Sequence, residues 1–494
     1  QAILAQVSAL NSLPTQSTHS RSSLVTMGGG AVTTAVQALS EAEVDQILAR
    51  AGFKDDESSV KGVIRGEGGF GYVVMIALFA SLGGLLFGLD VGYIAGVKSM
   101  GSFGRDVLHG HPLSTLEDSE ITMIFGVGAA LAAFPPIISG FVDRVGLKGS
   151  VIGGGSLFCC GALLQAVASQ LSVMMIGRFI AGMSVGVLSA NVPVYVSELA
   201  PPAYRGTLVS TYQLAITIGI MLAFGSALLL EDVMEPVGGW RWVILMQLVP
   251  GLFLALGGIV MPRSPRWLMS KGRCDEALAT LVLVRGPEDD VKMELAQICK
   301  EREAEQASGK PTWREFFSGD MLKLLAIGVT LQMFQQLCGM NAFMYDGPLI
   351  FERIFNSAHA GRQFTAISGV VNILSTLPAI FLVDRKGRKA LLMWSAAGMA
   401  ICSGVLAFVG EQCFPLHLDA GADPLCGDWA KWTATASVCL FIFNFGYGWG
   451  PVVWTYCAEM FPMKYRTKAV GATTDANWVG NMLIAFLPPI MFEG

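Results

Sequence analysis

Apolar runs long enough to cross a hydrocarbon core of about 30 Å as helices, roughly 17 to 25 residues each, recur along the chain. They lie near 73–97, 121–142, 150–170, 171–197, 207–230, 242–261, 321–345, 363–383, 389–410, 432–457 and 468–490. Most are separated by short polar turns. Residues 262–320 are a different kind of separator, rich in Lys, Arg and Glu and too polar to enter lipid. Within that insert, CDEALATLVLVRG (274–286) and VKMELAQICKERE (291–303) have the apolar spacing of short amphipathic helices. Six runs precede the insert and five follow it, so the pattern predicts two bundles of six spans with the twelfth missing from this chain. Residues 1–72 carry no apolar stretch of the kind a cleavable signal needs, and RGEGGFG (65–71) reads as a linker. SEAEVDQILARAGF (40–53) predicts a short helix with Ser40 as N-cap, Glu43 completing a capping box and Gly52 near its end.

Composition agrees with an all-α membrane protein. The chain is 53% hydrophobic and only 14% charged, against about 25% charged in average soluble proteins. The net charge of −5 acts through its placement rather than its sum. Lys and Arg number about 21 on the side holding DRVGLK, the insert and DRKGRK and about 6 on the other, which makes the first side cytoplasmic. The expected divisions are a cytosolic, partly disordered N-terminal region (1–72), an N-terminal bundle (73–261), an intracellular helical segment (262–320) and a C-terminal bundle (321–494). No triad, phosphate loop or Cys/His cluster with metal-ligand spacing is present, which argues against an enzyme, a bound cofactor or metal, and a nucleic-acid partner. Most of the ten cysteines fall within spans. Cys413 and Cys426 share an external loop and are either bridged or two unrelated thiols.

The chain also repeats itself. DRVGLK (143–148) returns as DRKGRK (384–389), and SELAPPAYRG (197–206) is echoed by AEMFPMKYRT (458–467), each separated by roughly 240 to 260 residues. Glu198 precedes Arg205 by the same interval as Glu459 precedes Arg466. Parallel halves of this kind belong to secondary transporters whose substrate site lies between the halves near the midplane. A duplicated membrane receptor or scaffold is the other reading of the repeat.

The motifs GRFIAGMSVGVLSANVPVYVSELAPPAYRG (177–206), PRSPRWLMSKGR (262–273), QQLCGMNAFMYDGPLIF (335–351), DRKGRK and WGPVVWTYCAEMFPMKYR (449–466) occur in order. In this the chain resembles the sugar porter family of the major facilitator superfamily, from about Tyr72 to its end. The resemblance implies two six-helix bundles working by alternating access on a monosaccharide, a hexose such as glucose. It also implies sugar-contacting positions at Gln213, Gln335, Gln336, Asn341, Asn372 and Trp454, with Asn477, Trp478 and Asn481 as weaker candidates. Amides suit a neutral polyol because they both donate and accept hydrogen bonds. Trp454 and Trp449 are placed to lie against the apolar face of a ring. On one ideal helix Asn341 lies about 140° from Gln336, so a break at Gly339 is needed to bring them together. The chain departs from the family pattern at Leu147, where Arg is usual, at Arg263, where Glu is usual, and at Asp346, where a second aromatic follows Tyr345.

Charged residues at the cytoplasmic helix ends form a candidate latch: Asp143, Arg144, Glu198, Arg205, Asp384, Arg385, Arg388, Glu459 and Arg466, with Tyr345 a candidate gate at the other end. Solvated pairs are worth only about 0–1 kcal/mol each, so only a network could hold a conformation. Deep in the spans stand Asp90, inside FGLDVGYIAG (87–96), and Arg178. A carboxylate there costs about 2.5–3.5 kcal/mol and implies a partner or a proton. Each lies seven residues, about 10 Å, from the outer end of its span, so the two can meet. An acid at this place goes, by resemblance, with proton-coupled members of the family. The expectation is a hexose:proton symporter in the plasma membrane lipid bilayer with a cytoplasmic N-terminus. A facilitative uniporter and a non-transporting sugar sensor remain as alternatives.

Overall fold

The computed structural model describes residues 39–51, 69–234, 238–286, 289–307, 309, 312–414 and 426–493, all helix and connecting turn. Most of the linker at 65–71, and Gly52, fall outside these residues. The helix predicted from Ser40 is α1 (Glu41–Arg50), and both halves of its capping box are made.

The N-terminal half begins with α2 (Phe70–Ala80) and α3 (Leu82–Ser99), which together form the first span, followed by the short α4 (Gly101–Asp106). The second run is divided between α5 (Thr115–Ala133) and the start of α6 (Pro135–Ala166). Phe134, pushed out of the helical region by the proline that follows it, makes the break. The rest of α6 is the third span, and α7 (Leu171–Leu199) and α8 (Arg205–Met234) are the fourth and fifth. A sixth span, α9 (Gly239–Met246) and α10 (Leu248–Gly257), is bent at Gln247. The insert forms α11 (Pro265–Ser270), α12 (Cys274–Val284), α13 (Val291–Ala307) and α14 (Trp313–Phe316).

In the second half the seventh span is α15 (Gly319–Leu337) and α16 (Met340–Tyr345), broken where anticipated at Gly339, whose φ of 87° only glycine adopts easily. After α17 (Gly347–Phe355) come α18 (Ala358–Lys386) and α19 (Arg388–Cys413). The tenth span is α20 (Asp428–Tyr447) and α21 (Trp449–Glu459), and the eleventh is α22 (Arg466–Glu493). Among the described residues, nine helical segments are long and apolar enough to cross a membrane. The broken second run and the polar-faced eleventh fall short of that measure although both are helical. Cys413 and Cys426 are bridged, tying α19 to the residues before α20.

The sequence repeat is a repeat of geometry. Gly146 (φ 77°, ψ 172°) and Gly387 (φ 83°, ψ 158°) turn the chain identically after each Asp-Arg pair. Pro201 and Pro462 both sit near φ −58° and each starts a single 3₁₀ turn before the next span. The halves meet where α5 packs on α22 and α8 on α18, two contacts exchanged by the same pseudo-symmetry. Within the first half, Gly84, Gly88, Gly92 and Gly96 line one stripe of α3. Any Cβ there would run into Tyr212, Ile216, Ala223 or Ala227 of α8, so the glycines let the two backbones close up.

Outside the bundles, α1 joins the insert. Val44, Ile47 and Leu48 share a small core with Leu268, Leu281 and Leu295, and Asp45 pairs with Lys292 at 2.5 Å. From α14, Glu315 accepts from Lys464 at 3.1 Å and Tyr465 at 3.0 Å, fastening the insert to the turn that starts α22.

Candidate functional site

The seventh and eleventh spans build a buried polar cluster. Because Gly339 interrupts the helix, Asn341 swings back and donates to Gln336 Oε1 at 2.5 Å. Gln336 Nε2 donates to Asn477 Oδ1 at 2.9 Å. Asn477 Nδ2 in turn donates to Gln335 Oε1 and Gln332 Oε1, both at 2.6 Å. Gln335 Nε2 reaches the carbonyls of Trp449 (2.8 Å) and Gly450 (3.1 Å), where α21 begins. Tyr345 and Asn481 close the far side at 3.2 Å. Gln332 was not singled out from the sequence. Its spacing of four before Gln336 on an apolar helix was the available signal.

The other candidates surround this cluster. Gln213 lies beside Gly450 across the boundary between the halves and makes no hydrogen bond among the described residues. Asn372 on α18 is buried, and its side-chain oxygen is unpartnered. Trp454 stands edge-on to Tyr212, ring centres 6.1 Å apart. Two tryptophans have structural positions instead. Trp449 is fully buried and donates to the Leu392 carbonyl of α19 at 3.1 Å. Trp478 donates to Ser189 Oγ of α7 at 3.1 Å and packs on Phe87 and Phe125, pinning the halves together at mid-depth.

Asp90 and Arg178 meet as their depths implied. The nearest atoms are 3.4 Å apart and both side chains are essentially inaccessible. Yet neither Asp90 oxygen makes a hydrogen bond. Arg178 is held by other groups, donating to the Ile121 carbonyl at 2.7 Å and the Tyr93 hydroxyl at 2.7 Å. Tyr93 donates onward to Gln165. Tyr93 and Gln165 also escaped the sequence reading, although Tyr93 stands one turn from Asp90.

Of the charges in the candidate latch, those of the second half are the ones joined by a shared guanidinium. Arg388 bridges Asp384 (3.0 Å) and Glu459 (3.1 Å), and Asp384 reaches across to the first half, accepting from Thr207 N at 2.7 Å and its hydroxyl at 2.9 Å. The position equivalent to Arg388 is Leu147, so Asp143 and Glu198 have no shared guanidinium. Glu198 accepts from Ser264 instead. Asp143, Arg144 and Arg385 have exposed side chains with no ion pair among the described residues. Arg205 and Arg466 turn inward without carboxylate contacts, Arg466 donating to the Phe461 carbonyl at 3.3 Å. The network is therefore one-sided, with its cross-half link made by a carboxylate capping α8. Below it lies a cavity of about 710 Å³ lined by Asp143, Glu198, Arg266, Arg302 and Lys468 among others.

Comparison with known proteins identifies the family. Residues 76–494 match the family described as "Sugar (and other) transporter". The chain is 36% identical over 434 residues to a probable glucose transporter of Neurospora crassa, covering 85% of this chain and 70% of that one. It is 34% identical over 411 residues to the galactose-proton symporter of Escherichia coli, covering 83% of each. Among solved structures, the proton:xylose symporter XylE bound to 6-bromo-6-deoxy-D-glucose superposes with a TM-score of 0.72 at 27% identity, covering 85% of this chain and 89% of that one. The chain is a multi-pass membrane protein and belongs to the sugar porters of the major facilitator superfamily.

Proposed function

We propose that this protein carries a hexose such as glucose into the cell together with a proton by alternating access, in the plasma membrane, with the insert and the N-terminal region in the cytoplasm. The observation that carries the proposal is the Asp90–Arg178 pair: an inaccessible carboxylate 3.4 Å from a guanidinium, with no hydrogen bond of its own. An ionised carboxylate so placed bears its desolvation with only a slack partner. A proton on Asp90 removes that cost and leaves Arg178 to Tyr93 and the Ile121 carbonyl. Loss of the proton draws Arg178 back, so protonation and helix position are linked. The amide cluster supplies the sugar site, its amide-to-amide bonds exchanging for bonds to hydroxyls. The one-sided latch ties the cytoplasmic ends of the two halves together through Asp384 and Thr207. The bridged Cys413–Cys426 pair supports an opposite end facing an oxidising compartment.

One proton moving with a neutral sugar through 100 mV supplies about 2.3 kcal/mol, enough for roughly fortyfold to fiftyfold accumulation at about 1.4 kcal/mol per tenfold. Purified protein in sealed liposomes should accumulate glucose when the outside is acidified, and Asp90→Asn should abolish accumulation while leaving sugar exchange. Sugar equilibrating to equal concentrations whatever gradient is imposed would establish a passive carrier instead.

A further inference from the structure

A second carboxylate stands inside the membrane. Asp475 lies on α22, nine residues from Arg466 and so about 13 Å along the helix from its cytoplasmic start. It is partly buried and has no hydrogen bond or ion pair among the described residues. An intramembrane acid without a structural partner is costly and implies a task.

Its face of the helix defines that task. At about 100° per residue, Asp475 falls within roughly 60° of Gly471, Trp478 and Met482. Those three residues all meet the first half: a Cβ on Gly471 would lie 2.6 Å from Ile138 and 3.0 Å from the Ala133 carbonyl, Met482 packs against Gly126, and Trp478 packs on Phe87 and Phe125. Thr473, Asn477 and Gly480 occupy the opposite face and meet the seventh span at Gly328, Gln332 and Gln336. Asp475 therefore lies in the seam between the halves, on the cytoplasmic side of the amide cluster, and not in the cluster itself. The charged groups on the elements packed here stand toward the helix ends. They are Arg466 and Lys468 in the first turn of α22, Glu117, Asp118 and Glu120 at the outer start of α5, Asp143, Arg144 and Lys148 beyond the α5–α6 break, Glu198 at the inner end and Arg178 toward the outer end of α7, Glu459 at the end of α21, and Asp320 and Lys323 at the start of α15.

We infer that Asp475 is a second proton-binding site, exchanging with the cytoplasm, which ties closure of the inner seam to its own protonation. Closing the seam takes the carboxyl away from water, which favours the neutral form. Opening it solvates the carboxyl and favours the anion. By linkage, a proton on Asp475 stabilises the closed seam and its release stabilises the open one. The proton passes to and from cytoplasmic water, with no other reactant. The inference rests on the transporter reading above for its orientation, but not on sugar being coupled to a proton.

The test reads conformation. Spin labels at the exposed positions Arg144 and Arg385, with Cys160 changed to serine, report the inner opening in lipid nanodiscs. Asp90→Asn is included throughout to silence the outer acid. Raising the pH from 5 to 8 should increase the ratio of open to closed populations by at least about tenfold. Asp475→Asn should remove that response, and Asp475→Glu should keep it. Retained sugar binding certifies folding of each variant. An unchanged pH response in Asp475→Asn, or none in its Asp475 parent, overturns the inference. A failure of proton-driven accumulation in liposomes would instead overturn the symport reading and leave this result standing.

Discussion

Replacing Asn477 by alanine is the most demanding test of the amide cluster, because this one side chain ties three glutamines together. It donates to Gln332 and Gln335 at 2.6 Å each and accepts from Gln336 at 2.9 Å. Truncation leaves two buried carbonyl oxygens and one amide without their partner, and each orphan costs about 1–3 kcal/mol. The gap is polar and of amide size, so a water enters and recovers part of that loss. A net cost of about 2–3 kcal/mol remains. If Gln335 and Gln336 face the sugar, their misorientation should appear as a fall in affinity of roughly 30- to 140-fold, at about 1.4 kcal/mol per tenfold. Isothermal titration with glucose measures this directly, with the melting temperature in the same detergent as the measure of stability. Asn444→Ala serves as control, since that amide bonds only its own helix, at Leu440, and Tyr447. Unchanged affinity alongside a lowered melting temperature would refute the reasoning. It would reduce the cluster to a helix-to-helix bond.

The latch and the insert give further expectations. Arg388→Ala removes the bridge between Asp384 and Glu459, so the closed inner end should lose about 1–2 kcal/mol. The wide-distance population between labels at Arg144 and Arg385 should rise roughly fivefold to thirtyfold, and an unchanged distribution would exclude a latch. For the insert, the hydrogen bonds from Lys464 and Tyr465 hold the Glu315 carboxyl below its ordinary value of 4.5. A carboxyl lowered on docking contributes its attachment fully above that ordinary value and loses it as pH falls through the lowered one. Proteolysis within the insert should therefore be pH-independent from 5 to 7 and accelerate below about 4.5, and Glu315→Gln should flatten the profile.

The spans, the insert and the two halves were legible because lipid imposes one simple demand, an apolar length, and because duplicated turns need the same glycine and proline in both copies. The pairing of Asp90 with Arg178 was legible for the same reason, since depth in a membrane can be counted in residues. Side-chain commitments were less accessible. Nothing in the composition of Trp449 or Trp478 distinguishes a ring that stacks on a ligand from one whose indole N–H is spent on Leu392 or Ser189. Tyr93 and Gln165 were missed because a single tyrosine or glutamine in an apolar run carries no pattern until a buried arginine needs acceptors. The asymmetry of the latch was half visible. Leu147 marked the missing cation, but only three-dimensional contact shows that Asp384 spends its second oxygen on the start of α8.

These placements also bear on how the proposed sugar site and the proposed proton site, in different halves, can influence one another. Asn477, at the centre of the amide cluster, is followed directly by Trp478, whose ring packs on Phe87 and Phe125 with centres 4.9 Å and 5.6 Å away. Phe87 stands one turn before Asp90 on α3, and the Arg178 guanidinium lies over the ring of Phe125 at 5.3 Å. A shift of α22 that accompanies rearranged amides thus presses on the supports of both members of the charge pair at once. The glycine-packed α3 and α8 leave the first half little freedom to absorb it. Contiguity is necessary for such coupling but does not measure it. The measurement is a double-mutant cycle on sugar affinity with Asn477→Ala and Asp90→Asn. An interaction term of about 0.5 kcal/mol or more, as coupled sites show, is the expected outcome. Strict additivity would mean that the two sites communicate by another route, through the movement of whole halves rather than through Trp478.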